Sequence, residues 1–116
     1  MNTLRLESVG TPWGWYKMLY YAPHFWVKEI LVHPGESLSL QVHKDRNEFW
    51  TAVSPGLRAN INGTAVDLRV GFRYDVMKGQ IHRVWNPGSY SAVFIEIATG
   101  APREDDITRL QDKYGR

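Results

Sequence analysis

Residues 39–50 read SLQVHKDRNEFW, and within eight positions Gln41, His43, Asp45 and Glu48 all carry groups able to bind a cation or move a proton. Leu38, Leu40 and Val42 alternate with Gln41 and His43. A strand of period two therefore sends the amide and the imidazole to one face and the aliphatic chains to the other. A polar turn, KDRN, then leads into EFWTAVS. A hairpin at that turn would fold Glu48 back beside Gln41 and His43, while Asp45, at the turn itself, is expected to point outward.

A second segment, GFRYDVMKGQIHRVWN, places His82 at the head of an apolar strand just after a turn at Gly79. Taken alone, a strand histidine reads as a core residue, and His24 and His33 have no partner set and no expected role. His82 is distinguished by the spacing of the two segments together. Gly35, Gln41, His43, Glu48 and Gly56 follow one another with five, one, four and seven residues between them. Gly71, Gly79, His82 and Asn86 are separated by seven, two and three.

The elements that must position these residues are strands. Apolar alternating or β-rich runs cover 13–21, 25–33, 37–43, 48–54, 57–63, 64–70, 72–77, 81–86 and 90–100, punctuated by Gly, Pro and Asn. Asn62-Gly63 between two such runs is a two-residue hairpin signal, because both residues must reach positive φ. His33-Pro34-Gly35 and Asn86-Pro87-Gly88 read as turns. Eight or nine short strands in series predict an all-β barrel or sandwich. In the tail, PREDDITRLQDKYG sets Ile107 and Leu110 three apart and Tyr114 four further on, with acids first and Lys113 last. That pattern predicts a short amphipathic C-terminal helix ended by Gly115 and covering part of the barrel.

Composition removes several function classes. At 116 residues the chain is expected to form a single domain, 1–116. Hydrophobic residues make up 43%, enough for a core. The net charge is +2 and the 14 Lys and Arg are scattered, so no nucleic-acid footprint is expected. With no cysteine, neither a disulfide framework nor a thiolate metal site is available. No apolar run approaches about 18 residues and the N-terminus lacks a signal-peptide apolar region, which predicts a soluble cytoplasmic protein with no membrane partner.

The paired spacing resembles the two motifs of the cupin superfamily, small β-barrels of the double-stranded β-helix (jelly-roll) type whose interior holds a divalent metal. Gln41 falls where many cupins have their first histidine, Met77 replaces a common proline, and Gly56 closes the first motif one place late. PWGWY near the start, PGESLSLQ-H--R-E-W, G-IHRV-NPG and EDDI-R--D-YGR at the end are similar to one family in particular. It is the type II mannose-6-phosphate isomerase domain, which usually forms the C-terminal part of bifunctional mannose-1-phosphate guanylyltransferase/mannose-6-phosphate isomerases. The likeness runs from about Thr11 to Arg116. These residues include no glycine-rich nucleotidyltransferase segment, so GDP-mannose synthesis is not expected of them.

Carried over residue by residue, the resemblance implies Gln41, His43, Glu48 and His82 as ligands of one divalent ion. Zinc comes first, with manganese, iron, cobalt or nickel as alternatives that this mixed N/O set also suits. It implies interconversion of mannose 6-phosphate and fructose 6-phosphate, or of a related sugar phosphate, through metal-stabilised enediol chemistry. Arg46 and Arg116 occupy family positions suited to gripping a phosphate. Of the five tryptophans, Trp50, two residues after Glu48, is the best placed to stack on a sugar. The family commonly reads QMHHHRAEHW where this chain has QVHKDRNEFW, so Lys44, Asp45 and Phe49 stand in place of histidines. Lys44 could replace one of them as phosphate contact or base, and Glu48 is the other candidate for catalysis. A non-catalytic sugar or nucleotide-sugar binding cupin, and a metal cupin of other chemistry such as an epimerase or dioxygenase, are the alternatives. A homodimer is expected, because cupins often pair and open barrels protect edge strands that way.

Overall fold

A computed structural model describes residues 7–115, and among them it is all strand and turn, with no helix. The strands are β1 (Ser8–Thr11), β2 (Gly14–Ala22), β3 (Phe25–Val32), β4 (Leu40–Val42), β5 (Arg46–Ala52), β6 (Arg58–Ile61), β7 (Thr64–Asp67), β8 (Arg73–Val76), β9 (His82–Trp85), β10 (Ala92–Gly100) and β11 (Thr108–Gln111). They form two antiparallel sheets, one in the order β1-β2-β3-β10-β5-β8 and the other β11-β4-β9-β6-β7. The hairpin at Asn62-Gly63 forms as its turn chemistry requires, with φ of 51° and 87° at the two residues and β6 paired to β7.

The expected C-terminal helix is not there. Residues 108–111 form β11, which pairs with β4 at one edge of the second sheet. Three short strand residues at Leu40–Val42 leave an open ladder on that side, and edge hydrogen bonding outweighs a marginal helix with few apolar contacts. Leu110, assigned to the buried face of the helix, is exposed instead. The hairpin imagined between His43 and Glu48 is also replaced: β4 and β5 belong to different sheets. The turn at 43–45 carries the chain across from one sheet to the other, so His43 and Glu48 meet inside the barrel rather than along a ladder.

Alternation along β3, β5 and β10 sends Trp26, Lys28, Ile30 and Val32, then Arg46, Glu48, Trp50 and Ala52, then Ala92, Phe94, Glu96 and Ala98 inward. Each strand is thus divided along its length. One half gives Ile30, Val32, Trp50, Ala52, Ala92 and Phe94 to a core completed by Leu57, Leu68, Val76 and Val84. The other half gives buried charges. Antiparallel register brings these halves together, placing Glu96 opposite Lys28 and Ala98 opposite both Trp26 and Glu48. At the end of β10, Gly100 has φ of +97°, and a Cβ there would lie 2.9 Å from the Asp45 carbonyl. Glycine therefore lets the 43–46 turn sit directly on this strand.

A candidate metal centre beside a charged cavity

His43, Glu48 and His82 come from the β4–β5 turn, β5 and β9, and all three are buried. One nitrogen or carboxylate oxygen from each lies within 4.8 Å of the others. His43 Nδ1 stands 2.6 Å from the main-chain oxygen of Asp106, and His82 Nδ1 stands 2.9 Å from that of Gln80. A carbonyl only accepts, so both rings carry a proton on Nδ1, and each neutral ring presents Nε2 as a lone pair. This is the tautomer that a metal-binding imidazole needs, with its other nitrogen fixed by an outer acceptor. His82 Nε2 is buried and has no hydrogen-bond partner. Burial pushes the His82 ring's pKa below the usual value, with Glu48 only partly opposing, so the ring is held neutral.

Glu48 is built as an anion. Burial would raise its pKa, but the neighbouring His43 and the Arg46 charge outweigh it and hold the carboxyl well below the usual range. Trp50 Nε1 donates to Oε1 at 3.0 Å, and Arg46 Nε donates to Oε2 at 2.7 Å. His43 Nε2 is 3.2 Å from the same Oε2. A bare imidazole nitrogen and a carboxylate oxygen so close repel unless positive charge lies beside both. Arg46 supplies it: its Nη2 donates to His43 Nε2 at 3.1 Å while Nη1 donates to the Arg103 carbonyl at 2.9 Å. The guanidinium also lies 4.8 Å from the Trp26 ring. Two imidazole nitrogens and one carboxylate oxygen facing a shared centre, one nitrogen with no other partner, fit a divalent N/O-bound cation. Arg46 is the internal cation that such an ion would have to relieve.

Gln41 pairs across strands with His82, and its side chain lines a cavity of about 300 Å³ with Arg46, Lys28, Glu96, Glu104 and Arg109. Glu104 and Arg109 stand in the EDDI-R--D-YGR segment without an expected role, and Lys28 and Glu96 carry no motif. Glu96 is buried, accepts from Trp26 Nε1 at 2.8 Å, and has a pKa raised to about 7 by burial and then by the Glu48 charge. The signal for Lys28 and Glu96 is a charge in phase with apolar neighbours: Lys28 with Trp26 and Ile30, Glu96 with Phe94 and Ala98.

Other expected site residues fall elsewhere. Trp50 packs in the core, edge-on to His82 and Phe94, and serves Glu48 as a donor rather than offering a face to a sugar. The Lys44 side chain is exposed and outside the cavity lining; its main-chain N–H and that of Asp45 are both held by the Asp106 carboxylate, at 2.9 and 2.8 Å. Asp45 does face outward, where Arg103 Nη1 reaches it at 3.1 Å. Arg116 lies outside the described residues.

The family model described as mannose-6-phosphate isomerase C-terminal matches residues 3–112. The chain belongs to that family. Among curated relatives, the mannose-1-phosphate guanylyltransferase ManC of Salmonella typhimurium is 38% identical over 111 residues, which span 95% of this chain and 23% of the relative. The alginate biosynthesis protein AlgA of Pseudomonas aeruginosa is 38% identical over 110 residues, 94% of this chain and 23% of the relative. This member of the family thus spans about a quarter of the length of the curated relatives it matches. Its fold is shared with the capsular polysaccharide assembling protein CapF of Staphylococcus aureus, at a TM-score of 0.79 and 18% identity, over 95% of this chain and 35% of that one. It is shared too with a conserved protein with a double-stranded beta-helix domain from Klebsiella pneumoniae, at a TM-score of 0.73 and 18% identity, over 97% and 86%. The architecture is the cupin barrel. Among the described residues no helix is long and apolar enough to cross a membrane.

Proposed function

We propose that this cupin domain carries a metal-dependent isomerase site that interconverts mannose 6-phosphate and fructose 6-phosphate or a closely related sugar phosphate. The observation that carries this reading is the pairing of two kinds of group. Bare His43 and His82 nitrogens face the Glu48 carboxylate, and a buried carboxyl with a pKa of about 7 lines the adjoining cavity. Family membership supplies the substrate class.

Gln41, His43, Glu48 and His82 would hold the ion, which when bound supplies Lewis-acid stabilisation of charge developing on the sugar oxygens. Proton transfer falls to Glu96 rather than to Glu48 or Lys44. Both Glu48 oxygens are already held by donors, and the Lys44 side chain lies away from the cavity. Trp26 holds one Glu96 oxygen and leaves the other to take the C2 proton of the aldose and return it at C1. A base with a pKa near neutrality exchanges a proton in both directions at little cost, as a reversible isomerisation needs. Arg46 keeps Glu48 ionised and directed inward.

The test is a coupled assay of mannose 6-phosphate conversion in the purified domain, before and after EDTA treatment and with single metals restored. Turnover abolished by chelation and recovered with one metal is the expected result; metal-loaded protein that binds the sugar without turnover would reject it. That second outcome fits the alternative reading, a non-catalytic sugar-binding cupin. The placement of Arg46 on two of the ligand atoms favours it, because a guanidinium already balances the site's charge. Oxygen consumption would point to a metal cupin of other chemistry.

A further inference from the structure

The cavity walls carry more positive than negative groups. Lys28, Arg46 and Arg109 face Glu96 and Glu104 there, and Arg46 is committed to Glu48 and His43. Lys28 is the unusual member: its side chain is 8% exposed, so its ammonium has lost nearly all of its water. The Trp26 and Tyr16 rings replace part of that hydration, at 4.3 and 4.6 Å from Nζ. Its ion-pair partner is not Glu96, directly opposite on β10, but Glu104. Glu104 belongs to the segment between β10 and β11, and its side chain is 52% exposed. Its other carboxylate oxygen accepts from the Tyr16 hydroxyl at 3.1 Å. An ammonium and a phenol, fixed on β3 and β2, thus converge on a carboxylate that reaches in from solvent. Arg109 adds a cation to the same cavity and has no ion-pair partner among the described residues.

We propose that Lys28 and Tyr16 form an anion subsite for the phosphoryl group of a phosphorylated substrate, and that the Glu104 carboxylate fills this subsite in the free protein and is displaced when substrate binds. The inference rests on the sugar-phosphate reading above and assigns its phosphate anchor. A phosphoryl group brings three acceptor oxygens and up to two charges to donors that Glu104 meets with two oxygens and one charge. The half-exposed Glu104 returns to water at little cost, whereas Lys28 cannot. A resident carboxylate keeps the buried ammonium paired until an anion arrives. It also tunes affinity, since every phosphorylated ligand must compete with it.

The test is calorimetric titration of the full chain, freed of metal, with inorganic phosphate, mannose 6-phosphate and mannose, in wild type, Glu104→Gln, Lys28→Gln and Tyr16→Phe. Removing the competitor charge in Glu104→Gln is expected to tighten phosphate and mannose 6-phosphate binding by about three- to tenfold and to leave mannose unchanged. Lys28→Gln is expected to weaken both anions by about tenfold or more. Should that variant fail to fold, Tyr16→Phe, which keeps the ring under Lys28, is expected to weaken them severalfold. Unchanged or weaker phosphate binding in Glu104→Gln, or unchanged binding in Tyr16→Phe, overturns the subsite. Phosphate binding in the expected order, with no mannose 6-phosphate turnover in the metal-restored coupled assay, would reject the isomerase and leave the subsite standing. Turnover with phosphate affinity indifferent to Glu104→Gln would do the reverse.

Discussion

His43 gives its Nδ1–H to the main-chain oxygen of Asp106, 2.6 Å away across 63 positions of the chain. The same Asp106 closes the turn after His43 by accepting the Lys44 and Asp45 N–H groups on its carboxylate. One tail residue thus fixes both the tautomer of an imidazole and the turn that aims it. Burial would raise the Asp106 pKa, but the two main-chain donors prevail and lower it. Its stabilising contribution is therefore present above the ordinary value of 3.8 and fades as pH falls through the lower, folded value. Asp106→Ala is expected to cost about 1–3 kcal/mol at pH 7, read by urea unfolding, and to weaken metal binding. An unaltered metal affinity would show that the tail does not orient His43.

Arg46 acts as the resident cation, so its removal has opposite consequences without and with metal. Arg46→Gln is expected to cost about 3–5 kcal/mol in the metal-free protein, because the buried Glu48 carboxylate loses its charged partner. Added zinc restores a positive charge at that point. The rise in melting temperature on zinc addition should thus be larger in Arg46→Gln than in wild type; an equal or smaller rise would show that ion and guanidinium do not compete for the same ligands.

Glu96 makes the metal-free protein sensitive to pH in the other direction. Its carboxyl pKa is raised from 4.5 to about 7, first by burial and then by Glu48. Below 4.5 both folded and unfolded chains hold the proton. Between 4.5 and about 7 the unfolded chain releases it first, so stability falls as pH rises and stays low above that range. Glu96→Gln is expected to remove this fall and gain on the order of 1–3 kcal/mol over wild type at pH 8, with parity near pH 4. On the proposed function, Glu96→Gln should also abolish isomerisation in the metal-loaded protein. Parallel stability profiles for the two proteins would remove Glu96 as a neutral-pH proton carrier.

Much of this was legible in the residues themselves. Period-two alternation and the Asn62-Gly63 turn gave the strands, and the spacing of His43 and Glu48 against His82 led to the cluster that the fold assembles. The tail's strand is hidden in the sequence because Ile107, Leu110 and Tyr114 are placed as on a helix, while the open edge of β4 that claims residues 108–111 is a tertiary fact. Lys28 and Glu96 escaped notice because Val27, Leu31, Ile95 and Ile97 make the opposite phase of their strands apolar as well, hiding which face turns inward. The resemblance makes Arg46 a substrate anchor; that its guanidinium bonds both His43 and Glu48 depends on the chain crossing between sheets at residues 43–45.

The unpartnered Nε2 of His82 makes it the residue whose loss speaks most directly to the site. Metal content of the purified domain, loaded with zinc and dialysed, is best measured by mass spectrometry beside His82→Ala and His43→Ala, with circular dichroism to establish that each barrel is folded. Close to one equivalent in wild type and a small fraction of that in both folded variants is the predicted result. Wild-type metal content in either variant would contradict a cation held between His43, Glu48 and His82.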